Sequence, residues 1–246
     1  MRVAVLADVH ANLPALEAVL HDVDARGVDR IVLLGDIAGG PLPAETLDRL
    51  ATLGERAVWV HGNGERELVD AFDGKPGKDR NAADAAVCAA LIGQGHRDRL
   101  AGLPMTVTLD VDGLGPVLFC HATPRRDDEF VLVDSPVARW RAVLDGVAEG
   151  LVVCGHTHMP FDRLAGGRRV VNPGSVGMNY GPAGAYWALL GDGAVQLRRT
   201  AYDARAAAAR IEAGPHPQAA WWAEQYVTKP YGDADALEAF TELARD

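Results

Sequence analysis

The sequence is short of three things. No apolar run approaches the ~20 residues that a bilayer-spanning helix needs, so no membrane association is expected. Only three cysteines occur, Cys88, Cys120 and Cys154, an odd number with no CxxC spacing. That argues against a disulfide framework and for a reduced, cytoplasmic setting. Lysine and arginine total 24 against 34 aspartates and glutamates, a net charge of −10. A chain so poor in cations is not expected to bind nucleic acid over an extended footprint, which needs basic stripes. What is there is an ordinary globular composition, 48% hydrophobic and 24% charged over 246 residues, enough for a large core. The opening Met1-Arg2-Val3-Ala4-Val5-Leu6-Ala7 meets Asp8 too soon for a signal peptide and reads as a first strand.

The first third alternates. Val3 to Ala7 is a strand; Asn12 caps a helix with Pro14 in its first turn, and Gly27 stops it. Arg30 to Leu34 and Ala57 to Val60 are further strands, with a helix carrying Leu47, Leu50 and Leu53 between them. This βαβαβ pattern predicts a parallel sheet with helices on its faces. A polar loop (73–80) and an alanine-rich helix (81–92, capped by Asn81) follow. Then strands dominate: a hairpin of Thr106–Val111 and Pro116–Cys120, then Leu151–Cys154, Arg169–Asn172, Tyr186–Leu190 and Ala194–Arg198. An α/β half and a strand-rich half predict two packed β-sheets with outer helices over residues 1–200. Residues 201–246 read as a separate helical extension, docked onto the body through Trp221 and Trp222.

Several strands end in metal-ligand residue types. The first gives Asp8 and His10, the second Asp36, the third Asn63, the hairpin His121, and the strand at 151–154 gives His156 and His158. Sites in open α/β sheets gather beyond the carboxyl ends of strands. Asp8/His10 and His156/His158 are each two residues apart, so an extended backbone would project both members of a pair the same way. Seven N/O donors exceed one zinc site and suit two ions sharing a carboxylate. Imidazole with carboxylate and no thiolate favours Mn, Fe, Ni, Co or Zn over Mg or Ca. Cys120 and Cys154, beside ligand positions, read as small buried hydrophobes; His21, His96 and His216 read as surface residues.

"DVH" (8–10), "GD" (35–36), "GN" (62–63), the histidine of "CHATP" (120–124) and "GHTH" (155–158), in that order, resemble the calcineurin-like metallophosphoesterases, and "NPGSVG" (172–177) resembles a segment of their small bacterial members. The resemblance spans about residues 1–200. It implies a four-layer sandwich of two sheets between helices. It also implies Asp8, His10 and His158 on one divalent ion, Asn63, His121 and His156 on a second, and Asp36 bridging.

The activity implied is hydrolysis of a phosphate ester by in-line attack of a metal-bound hydroxide, with His121 and an arginine, Arg125 or Arg126, stabilising the developing charge. The chain departs from the pattern at Gly64, where the family often has the histidine of "GNH" that protonates the leaving group. That favours a phosphodiester over a monoester. His61 is a candidate substitute acid. Two alternatives stay open: a phosphomonoesterase acting on phosphoprotein or nucleotides, including diadenosine polyphosphates, and a non-catalytic metal-binding scaffold. The expected partner is a small phosphorylated substrate, with a homo-oligomer also compatible.

Overall fold

Val3 and Val5 point to one side of the first strand and Ala4 and Leu6 to the other, yet all four are fully buried. A strand apolar on both faces must lie inside a stack of layers, and the computed structural model, which describes residues 1–77 and 81–244, shows that stack. The strands are β1 Val3–Leu6, β2 Arg30–Leu33, β3 Ala57–Trp59, β4 Thr106–Val111, β5 Gly115–Cys120, β6 Leu151–Val153, β7 Phe161–Ala165, β8 Arg168–Asn172, β9 Ala185–Gly191 and β10 Ala194–Thr200. The helices are α1 Leu13–Asp24, α2 Pro43–Ala51, α3 Asn63–Phe72, α4 Ala82–Leu91, α5 Gln94–Ala101, α6 Val137–Val143, α7 Ala204–Glu212, α8 Ala219–Ala223 and α9 Asp233–Leu243.

Two mixed five-stranded sheets result, ordered β10-β9-β1-β2-β3 and β4-β5-β6-β8-β7. β1, β2 and β3 are parallel, as are β5, β6 and β8. Period-two alternation sorts the side chains into layers. Val3, Val5, Val117, Phe119, Leu151 and Val153 meet between the sheets. Ala4 and Leu6 pack outward on α1, α2 and α7. Leu118, Cys120, Val152 and Cys154 pack outward on α6 through Trp140 and Val143, so both cysteines are the small buried hydrophobes expected. Each fully buried Val, Leu or Phe contributes about 1.5–3 kcal/mol.

The C-terminal helices join this body. Ala207, Ala208, Ile211, Trp222 and Val227 belong to the same core cluster as α1, while Ala236 and Phe240 of α9 pack with Leu132 and Met159. Trp222 is the docking residue; Trp221 stays 51% exposed. Among the described residues no helix is long and apolar enough to cross a membrane.

The structure departs from the sequence reading in local ways. Asn63 does not end a strand; it opens α3, with Gly62 before it and Glu65 closing the first turn. Asn81 precedes α4, but its side chain makes no capping bond. His216 is buried rather than on the surface, with its ring 3.1 Å from Asp84 of α4. Residues 78–80 of the expected polar loop lie outside the described residues.

Candidate metal centre

Parallel pairing of β1 with β2 and of β5 with β6 puts four strand ends side by side. Backbone bonds lace the loops beyond them: His10 N–H to Asp36 O (2.9 Å), Gly155 N–H to His121 O (2.6 Å) and Gly177 N–H to Asp8 O (3.1 Å). A Cβ at Gly155 would lie 2.7 Å from Asp8 Oδ2, so only glycine lets the "GHTH" loop close on Asp8. Asp8 in turn accepts from the His156 backbone N–H at 3.0 Å.

The ligand pairs do not project from extended backbone. Asp8, His10, Ala11, Asp36, His156 and His158 all have positive φ, between 46° and 67°. The chain leaves each strand and turns through the left-handed region, which Asp and His visit more readily than most residues. Each such residue stores about 1–3 kcal/mol of strain, and such strain clusters at functional sites.

The seven predicted ligand residues converge as two groups. His10 Nε2 faces His158 Nε2 at 3.1 Å, and His158 Nε2 lies 3.3 Å from Asp8 Oδ1. In the second group His121 Nε2 lies 3.2 Å from both Asn63 Oδ1 and His156 Nδ1. Asp36 stands between them, with Oδ1 3.4 Å from His121 Nε2 and Oδ2 3.8 Å from His10 Nε2. Asp8, His10 and His158 could hold one ion, and Asp36, His121 and His156 another.

The tautomers support that use. His10, His121 and His158 each point Nδ1 at a backbone carbonyl, of Gly39, Leu34 and Met178 respectively. A carbonyl only accepts, so Nδ1 carries the hydrogen, and Nε2 of the neutral ring presents a lone pair inward. Asn63 is fixed likewise: its amide N–H donates to Glu67 at 3.1 Å, which turns Oδ1 inward. His156 uses Nδ1 inward, packs at a tilt on Phe130 with ring centroids 4.4 Å apart, and leaves its buried Nε2 without a hydrogen bond. Converging lone pairs and carboxylates, buried together, fit a pair of divalent cations.

Electrostatics reinforce this. Burial opposes charge on Asp36, but His121 and then His10 hold its carboxyl well below the usual range. Burial likewise opposes charge on His121, and the Asp36 carboxylate overrides it, raising the imidazolium to about 10. Burial and His121 together push His156 down to about 4.

A cavity of about 980 Å³ opens over the centre, with His10, Asp36, Asn63, His156 and His158 on its floor. Trp221, Trp222 and Phe240 of the C-terminal extension form part of its wall. Two sequence-predicted catalytic candidates lie elsewhere. His61 Nε2 pairs with Asp127 Oδ2 at 2.9 Å and does not line the cavity. Arg125 binds Glu129, Nε to Oε2 at 2.9 Å, and also stands outside the lining. The lining arginine is its neighbour Arg126, paired with Asp128.

Sequence reasoning missed several supports. Glu65 is buried and accepts from the backbone N–H groups of Asp36, Ile37 and Gly62 at 2.7–2.9 Å; its signal was a glutamate three residues after Gly62, the spacing of a capping box. Asn172 is another: it donates to Gly155 O and accepts from Gly174 N–H, fixing the glycine that packs on Asp8. Tyr180 stacks on His158, and Phe240 contacts both Tyr180 and Phe130. No local pattern announces those aromatics.

The chain has known relatives. It is 29% identical over 200 residues to an uncharacterized protein of Methanocaldococcus jannaschii, covering 71% of this chain and 76% of that one. Among solved structures it is similar to a metallophosphoesterase from Sphaerobacter thermophilus (27% identity, TM-score 0.70, 91% and 99% of the two chains). It shares its fold with a hypothetical protein of Pyrococcus horikoshii (22% identity, TM-score 0.77, 94% and 99%); that correspondence runs past residue 191. The model of the calcineurin-like phosphoesterase superfamily domain matches residues 1–191, and the chain belongs to that family.

Proposed function

We propose that the protein is a dinuclear metal-dependent phosphoesterase that prefers phosphodiesters. The observation that carries this reading is Asp36, whose two carboxylate oxygens face two separate histidine-bearing donor groups. Asp8, His10 and His158 would hold one ion, Asn63, His121 and His156 the other, and Asp36 would bridge. Two divalent ions bound there would supply Lewis acidity to the phosphoryl oxygens and lower the pKa of a coordinated water.

The chain's own groups do the rest. The backbone carbonyls of Gly39, Leu34 and Met178 orient three imidazoles. Arg126 lies on the cavity wall, where a guanidinium can pair phosphate oxygens. Gly64, also on the lining, offers no side-chain acid to a leaving alkoxide, and this is the ground for a diester with a good leaving group. Neither His61 nor Arg125 enters the proposed machinery.

The test is hydrolysis of an aryl phosphodiester and its monoester by protein loaded with Mn, Ni or Co. Faster diester turnover is expected. A monoester rate well above the diester rate selects the phosphomonoesterase reading. Absence of turnover at full metal occupancy defeats the enzymatic reading and leaves the scaffold. Asp36→Asn should abolish turnover and weaken metal binding together.

A further inference from the structure

A different donor set meets where α4, the Gly39–Gly40 loop and the segment before α8 touch. Cys88 is fully buried and His216 only 4% exposed. His216 Nε2 lies 3.1 Å from Asp84 Oδ1, and Cys88 Sγ lies 3.7 Å from Asp84 Oδ2. One donor atom from each residue falls within 4.8 Å of the others. Asp84 and Cys88 are four apart on α4 and so share a face; His216 arrives from the C-terminal extension.

His216 Nε2 is the atom that needs explaining. It is buried near Asp84 but out of hydrogen-bond alignment, and it has no hydrogen-bond partner. A buried polar atom left without a partner is costly to the fold. Donors grouped around a common point, rather than aimed along one another's axes, are arranged for a cation between them. With bonds of about 2.0 Å to N and O and about 2.3 Å to S, tetrahedral zinc separates its ligand atoms by about 3.3–3.5 Å. The His216 Nε2–Asp84 Oδ1 and Cys88 Sγ–Asp84 Oδ2 separations, 3.1 and 3.7 Å to the two oxygens of one carboxylate, lie close to either side of that range.

We propose that Asp84, Cys88 and His216 form a third metal site, selective for zinc and distinct from the dinuclear centre. Thiolate, imidazole and carboxylate together are a zinc donor set, whereas the seven residues of the dinuclear centre offer no sulfur. Asp84 also lines the large cavity, so an ion could reach the site from there. Binding breaks the Cys88 S–H bond, forms the Zn–S bond and sends the proton to solvent. Without metal that thiol stays protonated, pushed up to about 12 by burial and by Asp84. The neutral His216 ring accepts the Gln218 N–H at Nδ1 (3.2 Å), which leaves its hydrogen on Nε2. Zinc at Nε2 moves that hydrogen to Nδ1 and gives up this one local turn contact.

The site would act as a staple. Cys88 Sγ accepts the Gly40 N–H at 3.3 Å, and the neighbouring Gly39 carbonyl holds His10 Nδ1. Zinc there ties the C-terminal extension to the loop that orients a residue of the dinuclear centre.

Cobalt(II) spectroscopy on the chelator-stripped, reloaded full chain tests this. Thiolate-to-cobalt charge transfer in the near ultraviolet is expected, because Cys88 would be a ligand. Cys88→Ser should abolish the band and bind one ion fewer while the dinuclear centre still fills. His216→Gln should keep the thiol but weaken cobalt binding at this site alone. A wild-type chain saturated with cobalt and lacking the band overturns the proposal without any variant having to fold. So does a band that survives in folded Cys88→Ser, or a cobalt titration that His216→Gln leaves unchanged.

Discussion

The backbone N–H of Gly64 donates to Asp36 Oδ1 at 2.7 Å, at the first turn of α3. The Asp36 carboxylate is thus held by a helix N-terminus as well as by imidazoles, and the positive end of a helix favours a carboxylate. A Cβ at Gly64 would stand 2.8 Å from the same oxygen. The glycine is therefore part of how Asp36 is seated, and not simply a missing histidine.

Gly64→Ala should displace Asp36 and weaken metal binding by about 10–100-fold, the usual effect of disturbing a ligand's support. Gly64→His should weaken it as well, without a gain in monoester turnover. Calorimetric metal titration and paired monoester and diester assays check both. Wild-type affinity in Gly64→Ala would refute the seating role.

Glu65→Gln should lower stability by about 1–3 kcal/mol, the cost of leaving a buried group unpaired. Glu65 gathers the N–H groups of Asp36, Ile37 and Gly62, and a glutamine amide presents one accepting oxygen in place of two. Urea unfolding of the metal-free protein reads this directly. An unchanged midpoint would show that water replaces the carboxylate.

Metal-free stability should depend on pH with opposite signs for two histidines. His121 is raised from 6.5 to about 10, with the Asp36 carboxylate outweighing burial. Its contribution is complete below 6.5 and is lost as pH climbs to about 10. His156 is lowered from 6.5 to about 4, by burial and by His121. Its contribution is complete above 6.5 and is lost as pH falls toward 4. Denaturation of the metal-free chain should therefore be hardest near neutrality, and Asp36→Asn should flatten the alkaline limb. Because an ion must displace the His121 proton, metal affinity should also rise with pH across the 6.5–10 window. A titration showing no proton release would contradict this.

Metal should stabilise the fold by mass action. At a free concentration of 100 times Kd, one bound ion adds about 2.7 kcal/mol. Thermal melts with and without a chelator should therefore separate, and the gap should shrink in His158→Ala. Superimposable melts would mean that the donors are not recruited in the native state.

By itself the sequence determined the layers and pointed to the candidate ligands. Unbroken apolar runs, Val3–Leu6 in β1, Val117–Cys120 in β5 and Leu151–Val153 in β6, give strands apolar on both faces, and which face each residue takes follows from a period of two, a local property of the chain. Asn12 could be read as a cap for the same reason, and its side chain does accept the Ala15 N–H. The candidates Asp8, His10, Asp36, His121, His156 and His158 were legible from residue type and a place shortly after a strand, and Asn63 from its place beyond β3, although it opens α3.

Tertiary structure decided what no single stretch encodes. The left-handed turns at Asp8, His10, Asp36, His156 and His158 depend on loops bonding to one another, so an extended reading of those pairs was the wrong local geometry. Asp127 captures His61, and Glu129 captures Arg125, pairings set by the path of the loop beyond His121. The packing of Phe240 against Phe130 and edge-on to Tyr180, and the burial of His216 against Asp84, join segments far apart in the chain. Periodicity records which way a residue faces along its own element. Which distant residue it meets is set only when the layers close and bring those elements into contact.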